Sequence, residues 1–213
     1  MIKYSNQSII PNFEIENSYN YKIIAGIDEA GRGPLCAPVF SASVVILDKT
    51  LNYTNINDSK KITEEKRENI FNEILELEKN NKILFEIGES SVEEIDNINI
   101  RNATKLAMQR SYDNLVNKYN IKPELVLVDG NFIPDINTKA EYIIKGDQKS
   151  ISIAMASIIA KVSRDRLIRS LHLEYPQYDW VNNKGYGTAK HIEAIKKYGL
   201  CKYHRKTFTR KFI

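Results

Sequence analysis

From Ile23 the chain reads IIAGIDEAGRGPL: an apolar, β-branched run that ends on two adjacent acids and is stopped at once by glycine, arginine, glycine and proline. A run so short, with such residues and such a stop, predicts a core strand that carries Asp28 and Glu29 to its end. A second run, VFSASVVILD, follows the Gly/Pro loop and predicts the partner strand of a wide hairpin. Side chains alternate faces along a strand, so the two acids converge only if the chain turns at or just after them, and Gly31 and Gly33 supply that turn. An aspartate at a strand end is by itself more often a turn former than a ligand, and Arg32 alone is more often a neighbour's ion-pair partner.

The remaining periodicity alternates helix and strand. ITEEKRENIFNEILELEKNN places Ile70, Phe71, Ile74, Leu75 and Leu77 at helical spacing, with Thr63 as N-cap and Glu64 and Glu65 in the first turn. KILFEIGES returns to strand. SVEEIDNINIRNATKLAMQRSYDNLVNKY is helical, in two pieces that divide near Asn97. After Pro123, ELVLVDG is a short strand, AEYIIKGD a weaker one, and KSISIAMASIIAKVSRDRLIRSLHLEY a helix whose Ala154, Ala156, Ser157 and Ala160 permit close approach to a sheet. TAKHIEAIKKYG is a further helix, and the tail CKYHRKTFTRKFI is basic with interleaved aromatics. This order predicts an α/β or α+β fold with a mixed sheet. Residues 1–20 read as a polar arm whose Ile9 and Phe13 dock on the body, and residues 21–213 as a single domain.

Composition narrows the function classes. A chain of 213 residues with 42% hydrophobic content supplies one sizeable core, and a net charge of +4 permits an anionic partner without requiring one. Cys36 and Cys201 are the only cysteines and form no CxxC, which argues against a disulfide framework or structural zinc and for a reducing cytosol. No apolar run is long enough to span a membrane. His172, His191 and His204 have no zinc-ligand spacing and no neighbouring nucleophile, which argues against a hydrolytic triad and against histidine-dependent RNA cleavage.

Asp129 repeats the opening arrangement, an acid at the end of LVLVD followed by Gly130, although Asp-Gly is also a common hairpin signal. Asp165 lies in the helix after SIIAKVS, with Lys161 one turn earlier, where a solvated ion pair is the ordinary reading. Together, four acids from two strand ends and a helix could converge on divalent cations, which take oxygen ligands and relieve the repulsion of grouped carboxylates. In KGDQKS, Lys149 and Ser150 open a helix and could face a phosphate at its positive end, or Ser150 could simply cap it. Tyr186, between glycines in GYGTAKH, could present its ring to a base or sugar, or fill a turn.

GIDEAGRGPL, DSKKI, LVDGN, KGDQKSISIAMASIIAKVSRDR and GYGTAKH resemble, in this order, the signature blocks of type 2 ribonuclease H, the bacterial ribonuclease HII. The resemblance runs from Gly26 to about His204. It implies an α/β, ribonuclease H-like mixed five-stranded sheet flanked by helices, with a helical C-terminal region that covers the nucleic acid. It implies cleavage of the RNA strand of RNA–DNA hybrids and nicking 5′ of single ribonucleotides embedded in duplex DNA, leaving 5′-phosphate and 3′-hydroxyl ends. Two Mg²⁺ or Mn²⁺ ions are expected during catalysis. By motif, Asp28, Glu29, Asp129 and Asp165 are the expected metal and catalytic acids. Gly31, Arg32 and Gly33 are expected to read the ribose 2′-hydroxyl, and Tyr186 to sense the junction with the next deoxynucleotide. Lys60, Lys61, Lys149 and the tail from 202 to 211 are expected to hold the duplex backbone. A cytoplasmic monomer fits these expectations. The motif departs from the family at Cys36 and Ala37, before Pro38, where a small packing adjustment and some thiol sensitivity are expected. A non-catalytic binding module would not need four acids, and a junction resolvase on the same fold would ignore the 2′-hydroxyl.

Overall fold

A computed structural model describes residues 10–53, 55–56 and 62–213. Five strands form one mixed sheet in the order β3-β2-β1-β4-β5: β1 (Ile24–Ala30), β2 (Val39–Ile46), β3 (Ile83–Ser90), β4 (Leu125–Asp129) and β5 (Ala140–Ile143). β1 is the pivot. It pairs antiparallel with β2 across the wide hairpin, and parallel with β4 in a register that sets Ile27 against Val128. β2 is buried along its whole length, and β1 and β4 nearly so, because helices cover both faces.

Among the described residues, seven α-helices accompany the sheet: α1 (Glu14–Asn17), α2 (Glu64–Lys79), α3 (Val92–Tyr119), α4 (Ile151–Glu174), α5 (Trp180–Asn183), α6 (Ala189–Tyr198) and α7 (Lys206–Thr209). Local chemistry sets their starts. Thr63, Ser91, Ser150 and Thr188 each cap a first turn with a side-chain oxygen, and Glu94 completes a capping box with Ser91. The break in α3 falls at Asn99, two residues beyond the expected Asn97, where φ is 66° and the side-chain oxygen accepts from the Arg101 and Asn102 amides to restart the helix.

α2 and α4 pack on one face of the sheet through Ile70, Ile74, Ala154, Ile158 and Ala160. α3 covers the other with Met108, Tyr112 and Leu115 against Ala25, Ile27, Val126 and Val128. α4 lies close to β1 because Gly26 has no side chain: a Cβ there would sit 2.6 Å from the Ile153 amide nitrogen. A third cluster, built on Trp180, Tyr178, Ile168 and Ile195, holds the C-terminal region against Leu35, Cys36 and Ala37.

The arm docks as expected at Phe13, whose ring meets Tyr53 edge-on at 5.7 Å; Ile9 lies outside the described residues. Its deeper anchor is Glu16, 2% exposed, whose Oε1 accepts from the Ser150 hydroxyl at 2.6 Å, the Ser152 hydroxyl at 2.7 Å and the Ser152 amide at 3.1 Å. An internal carboxylate therefore sits at the positive end of α4.

Candidate active site

Strand parity decides which acids can meet. Ala25 and Ile27 of β1 and Val126 and Val128 of β4 face α3, so Asp28 and Asp129, the next residue on each strand, both turn toward α4. They are neighbours at the same end of adjacent parallel strands. A cavity of about 240 Å³ opens there, lined by Asp28, Glu29, Asp129, Ser157, Lys161, Arg164 and Tyr186 and by the 30–33 loop.

Asp147 joins them from the short turn before α4. One carboxylate oxygen from each of Asp28, Asp129 and Asp147 falls within 4.8 Å of the others. The turn is held by Asp129 itself, whose Oδ1 accepts from the Gly146 amide at 2.6 Å and the Asp147 amide at 3.4 Å. Asp28 is 2% exposed; its Oδ1 accepts from the Glu29 amide at 2.7 Å, while Oδ2 is buried without a hydrogen-bond partner. Burial first, then the charges of Glu29 and Asp129, hold the Asp28 carboxyl well above the usual carboxylate range. An orphaned carboxylate oxygen among like charges fits a hard divalent cation, which takes oxygen ligands and cancels the repulsion.

The structure distributes the sequence-selected residues unevenly. Asp28, Glu29, Asp129, Gly31, Arg32, Gly33 and Tyr186 line the one cavity. Asp165 does not line it: its carboxylate takes Lys161 Nζ at 2.7 Å and Arg67 Nη1 at 3.6 Å. The reason is helical rotation: Arg164 lines the cavity, and Asp165, the next residue and about 100° further around α4, faces Lys161 and Arg67 instead. Ser150 is fully buried and given to Glu16, and Lys149 folds back to donate to the Ile144 carbonyl at 2.8 Å. Lys60 and Lys61 lie outside the described residues. Asp147 was missed. Its signal was a Gly-Asp just before the α4 cap, inside a stretch read only for its lysine and serine.

The loop after β1 is set by contacts on both sides. Gly31 adopts φ of 97°, and a Cβ there would collide with the Arg164 side chain. Arg32 pairs with Glu29 at 3.2 Å and lies 5.4 Å from the Phe132 ring centre. Arg164 is 1% exposed, donates to the Lys184 carbonyl at 3.1 Å, and keeps its Nε unpartnered against the loop. Tyr186 is half exposed at the rim, and the Cβ position of Gly33 is 3.3 Å from its ring. Its carbonyl is tied to His191 Nδ1 at 2.9 Å. His191 Nε2 in turn accepts from Trp180 Nε1 at 2.9 Å and lies 3.1 Å from His204 Nε2. The histidines thus brace the tyrosine loop from within. Cys36 is fully buried, and burial pushes its thiol up to about 12, which makes it inert rather than sensitive.

Comparison with known proteins gives one consistent result. The family described as Ribonuclease HII matches residues 25–211. A ribonuclease HII of Pelagibacter ubique (strain HTCC1062) is 51% identical over 189 residues, spanning 88% of this chain and 96% of the relative. That of Wolbachia pipientis subsp. Culex pipiens (strain wPip) is 48% identical over 198 residues, spanning 93% and 95%. Among solved structures, the ribonuclease H2 of Pyrococcus horikoshii OT3 superposes with a TM-score of 0.66 at 26% identity, covering 89% of this chain and 96% of that one.

Proposed function

Since the chain belongs to the ribonuclease HII family, we propose that the cavity between β1, β4 and α4 is its catalytic centre. The protein is a metal-dependent endoribonuclease of the type 2 ribonuclease H class, and its family acts on RNA–DNA hybrids by a two-metal mechanism. The observation that carries the local assignment is the grouping of Asp28, Asp129 and Asp147 around the orphaned Asp28 Oδ2.

In this reading Asp28, Glu29, Asp129 and Asp147 hold the cations, either Mg²⁺ or Mn²⁺. Bound there, the ions supply an activated water and charge neutralisation at the phosphate and the departing 3′-oxygen, giving 5′-phosphate and 3′-hydroxyl ends. Lys161 and Arg164, on the α4 side of the cavity, attract the scissile strand. Amides of the 31–33 loop meet the ribose 2′-hydroxyl, and on DNA that hydrogen bond is lost, at a penalty of about 1–3 kcal/mol for an unmet buried group. Tyr186 stacks at the rim where the following deoxynucleotide lies. The lysines of the C-terminal tail hold phosphates without reading sequence. We also assign residues 21–213 to one catalytic domain braced by the arm, acting as a cytoplasmic monomer; its two cysteines are free.

A duplex carrying one ribonucleotide, compared with its all-DNA twin under Mg²⁺ or Mn²⁺, tests the reading. Nicking 5′ of the ribonucleotide alone, abolished by chelation, is expected. Equal cutting of both duplexes would replace it with a structure-selective DNA nuclease, and metal-independent binding without cutting would replace it with a binding module.

A further inference from the structure

Arg205 is fully buried, and no carboxylate lies within ion-pair distance of it among the described residues. All five of its N–H donors go instead to backbone carbonyls of a single loop. Nε donates to Ala37 at 2.9 Å, Nη1 to Arg32 at 3.0 Å and Pro34 at 2.9 Å, and Nη2 to Gly31 at 2.6 Å and Ala37 at 2.7 Å. The main chain adds three more ties: Arg205 N to Leu35 O, Ala37 N to Tyr203 O, and Leu35 N to Gly185 O, each at 2.8 Å. The Phe208 ring backs the guanidinium, its centre 5.2 Å away.

Peptide planarity turns these anchors into an aiming device. In a trans peptide the carbonyl of one residue and the amide of the next point in opposite directions, and no cis bond occurs among the described residues. Fixing the Gly31 and Arg32 carbonyls on Arg205 therefore directs the Arg32 and Gly33 amides away from it, to the side on which the loop lines the cavity. Neither amide donates to another group among the described residues.

We propose that Arg205 is a positioning residue for ribose recognition, which presents the Arg32 and Gly33 amides to the 2′-hydroxyl by gripping the carbonyls behind them. This rests on the reading that the 31–33 loop meets the ribose. Lysine in its place keeps the charge but cannot fork to four carbonyls, and a displacement of about 1 Å in a positioning group lowers rates on the order of a hundredfold.

The experiment measures binding of the single-ribonucleotide duplex and its all-DNA twin by fluorescence anisotropy in Ca²⁺, cleavage of the former in Mg²⁺, and Mn²⁺ affinity, in folded Arg205→Lys and Gly33→Val. Arg205→Lys is expected to lose the preference for the ribonucleotide duplex and about 10- to 100-fold in kcat/KM, while DNA binding and Mn²⁺ affinity stay within about twofold. In ¹⁵N-glycine-labelled protein the Gly31 and Gly33 signals shift while Gly26, packed against Ser152 and Ile153 at the start of α4, does not. If Gly33→Val keeps the ribose preference, the loop does not read the ribose and the underlying reading falls. If Gly33→Val loses it but Arg205→Lys keeps both preference and rate, the positioning role is overturned. Should Arg205→Lys not fold, Phe208→Leu, which keeps every donor but removes the backing ring, decides: a weaker ribose preference supports the role and an unchanged one overturns it.

Discussion

Asp28 and Asp129 stand one residue beyond the Ile27–Val128 pair, at the same end of two parallel strands and on the same face of the sheet. Their backbone positions cannot move apart without unpairing β1 from β4. Asp28→Asn and Asp129→Asn are expected to lower turnover by at least about a hundredfold, since even outer-shell partners of a metal site cost 10- to 100-fold. In metal-free protein Asp28→Asn is expected to raise stability by about 1–2 kcal/mol, because burial and like charge already disfavour the anion. Urea melts in chelator, set beside initial rates in Mg²⁺, separate the two effects. A metal-free Asp28→Asn less stable than wild type would contradict the electrostatic account.

Asp147 and Asp165 are expected to fail differently. Asp147→Asn removes a carboxylate from the cluster, so Mn²⁺ affinity and rate fall together. Asp165→Asn loosens Lys161 and Arg67, so the melt shifts down by about 1–3 kcal/mol while Mn²⁺ affinity is kept. Titration of Mn²⁺ by electron paramagnetic resonance on each folded variant gives the answer. Loss of Mn²⁺ affinity in Asp165→Asn alone would return that residue to the metal cage.

Acid should act through the buried histidine pair. His204, 2% exposed, accepts from the Cys201 amide at Nδ1, and burial together with His191 lowers its pKa to about 4. The unfolded chain takes up its proton near pH 6.5 and the folded chain does not. Stability is therefore lost as pH falls from about 7 to about 4, by on the order of 3 kcal/mol, and levels off below. His204→Asn should flatten that part of the profile in urea melts taken at several pH values. An unchanged slope would assign it elsewhere.

Glu16 should be worth more than its place in an arm suggests. Glu16→Ala leaves the Ser150 and Ser152 hydroxyls without their acceptor and is expected to cost about 2–4 kcal/mol, with kcat per folded molecule unchanged. Ser150→Ala should leave the salt dependence of duplex binding as it is. A shallower salt slope in that variant would show that Ser150 contacts phosphate after all.

What the sequence disclosed tracks how local each cause is. Caps, strand ends and the glycine turn after Glu29 are written within a few residues, so β1, β4 and their acids were legible, as was the Tyr186 loop. Asp147 is hidden because its meaning depends on a turn folded back onto Asp129, and the sequence does not disclose that Asp165 faces Lys161 and Arg67, because motif order says nothing of the direction a residue takes around α4. The partner of Ser150 is 134 residues away at Glu16. His191 and His204, without any spacing signal, meet only once α6 and the following segment pack on Trp180. Long-range partners of this kind leave no periodic trace.

The grip of Arg205 on Gly31 spans 174 residues, against the 13 that separate Asp28 from its hairpin contact at Ser41. Closing so long a segment is entropically dearer than closing a hairpin, so it follows rather than leads the assembly of the sheet. The hairpin that carries Asp28 and Glu29 is thus closed by short-range contacts, whereas the loop that chooses among sugars is set only by a segment from the far end of the fold.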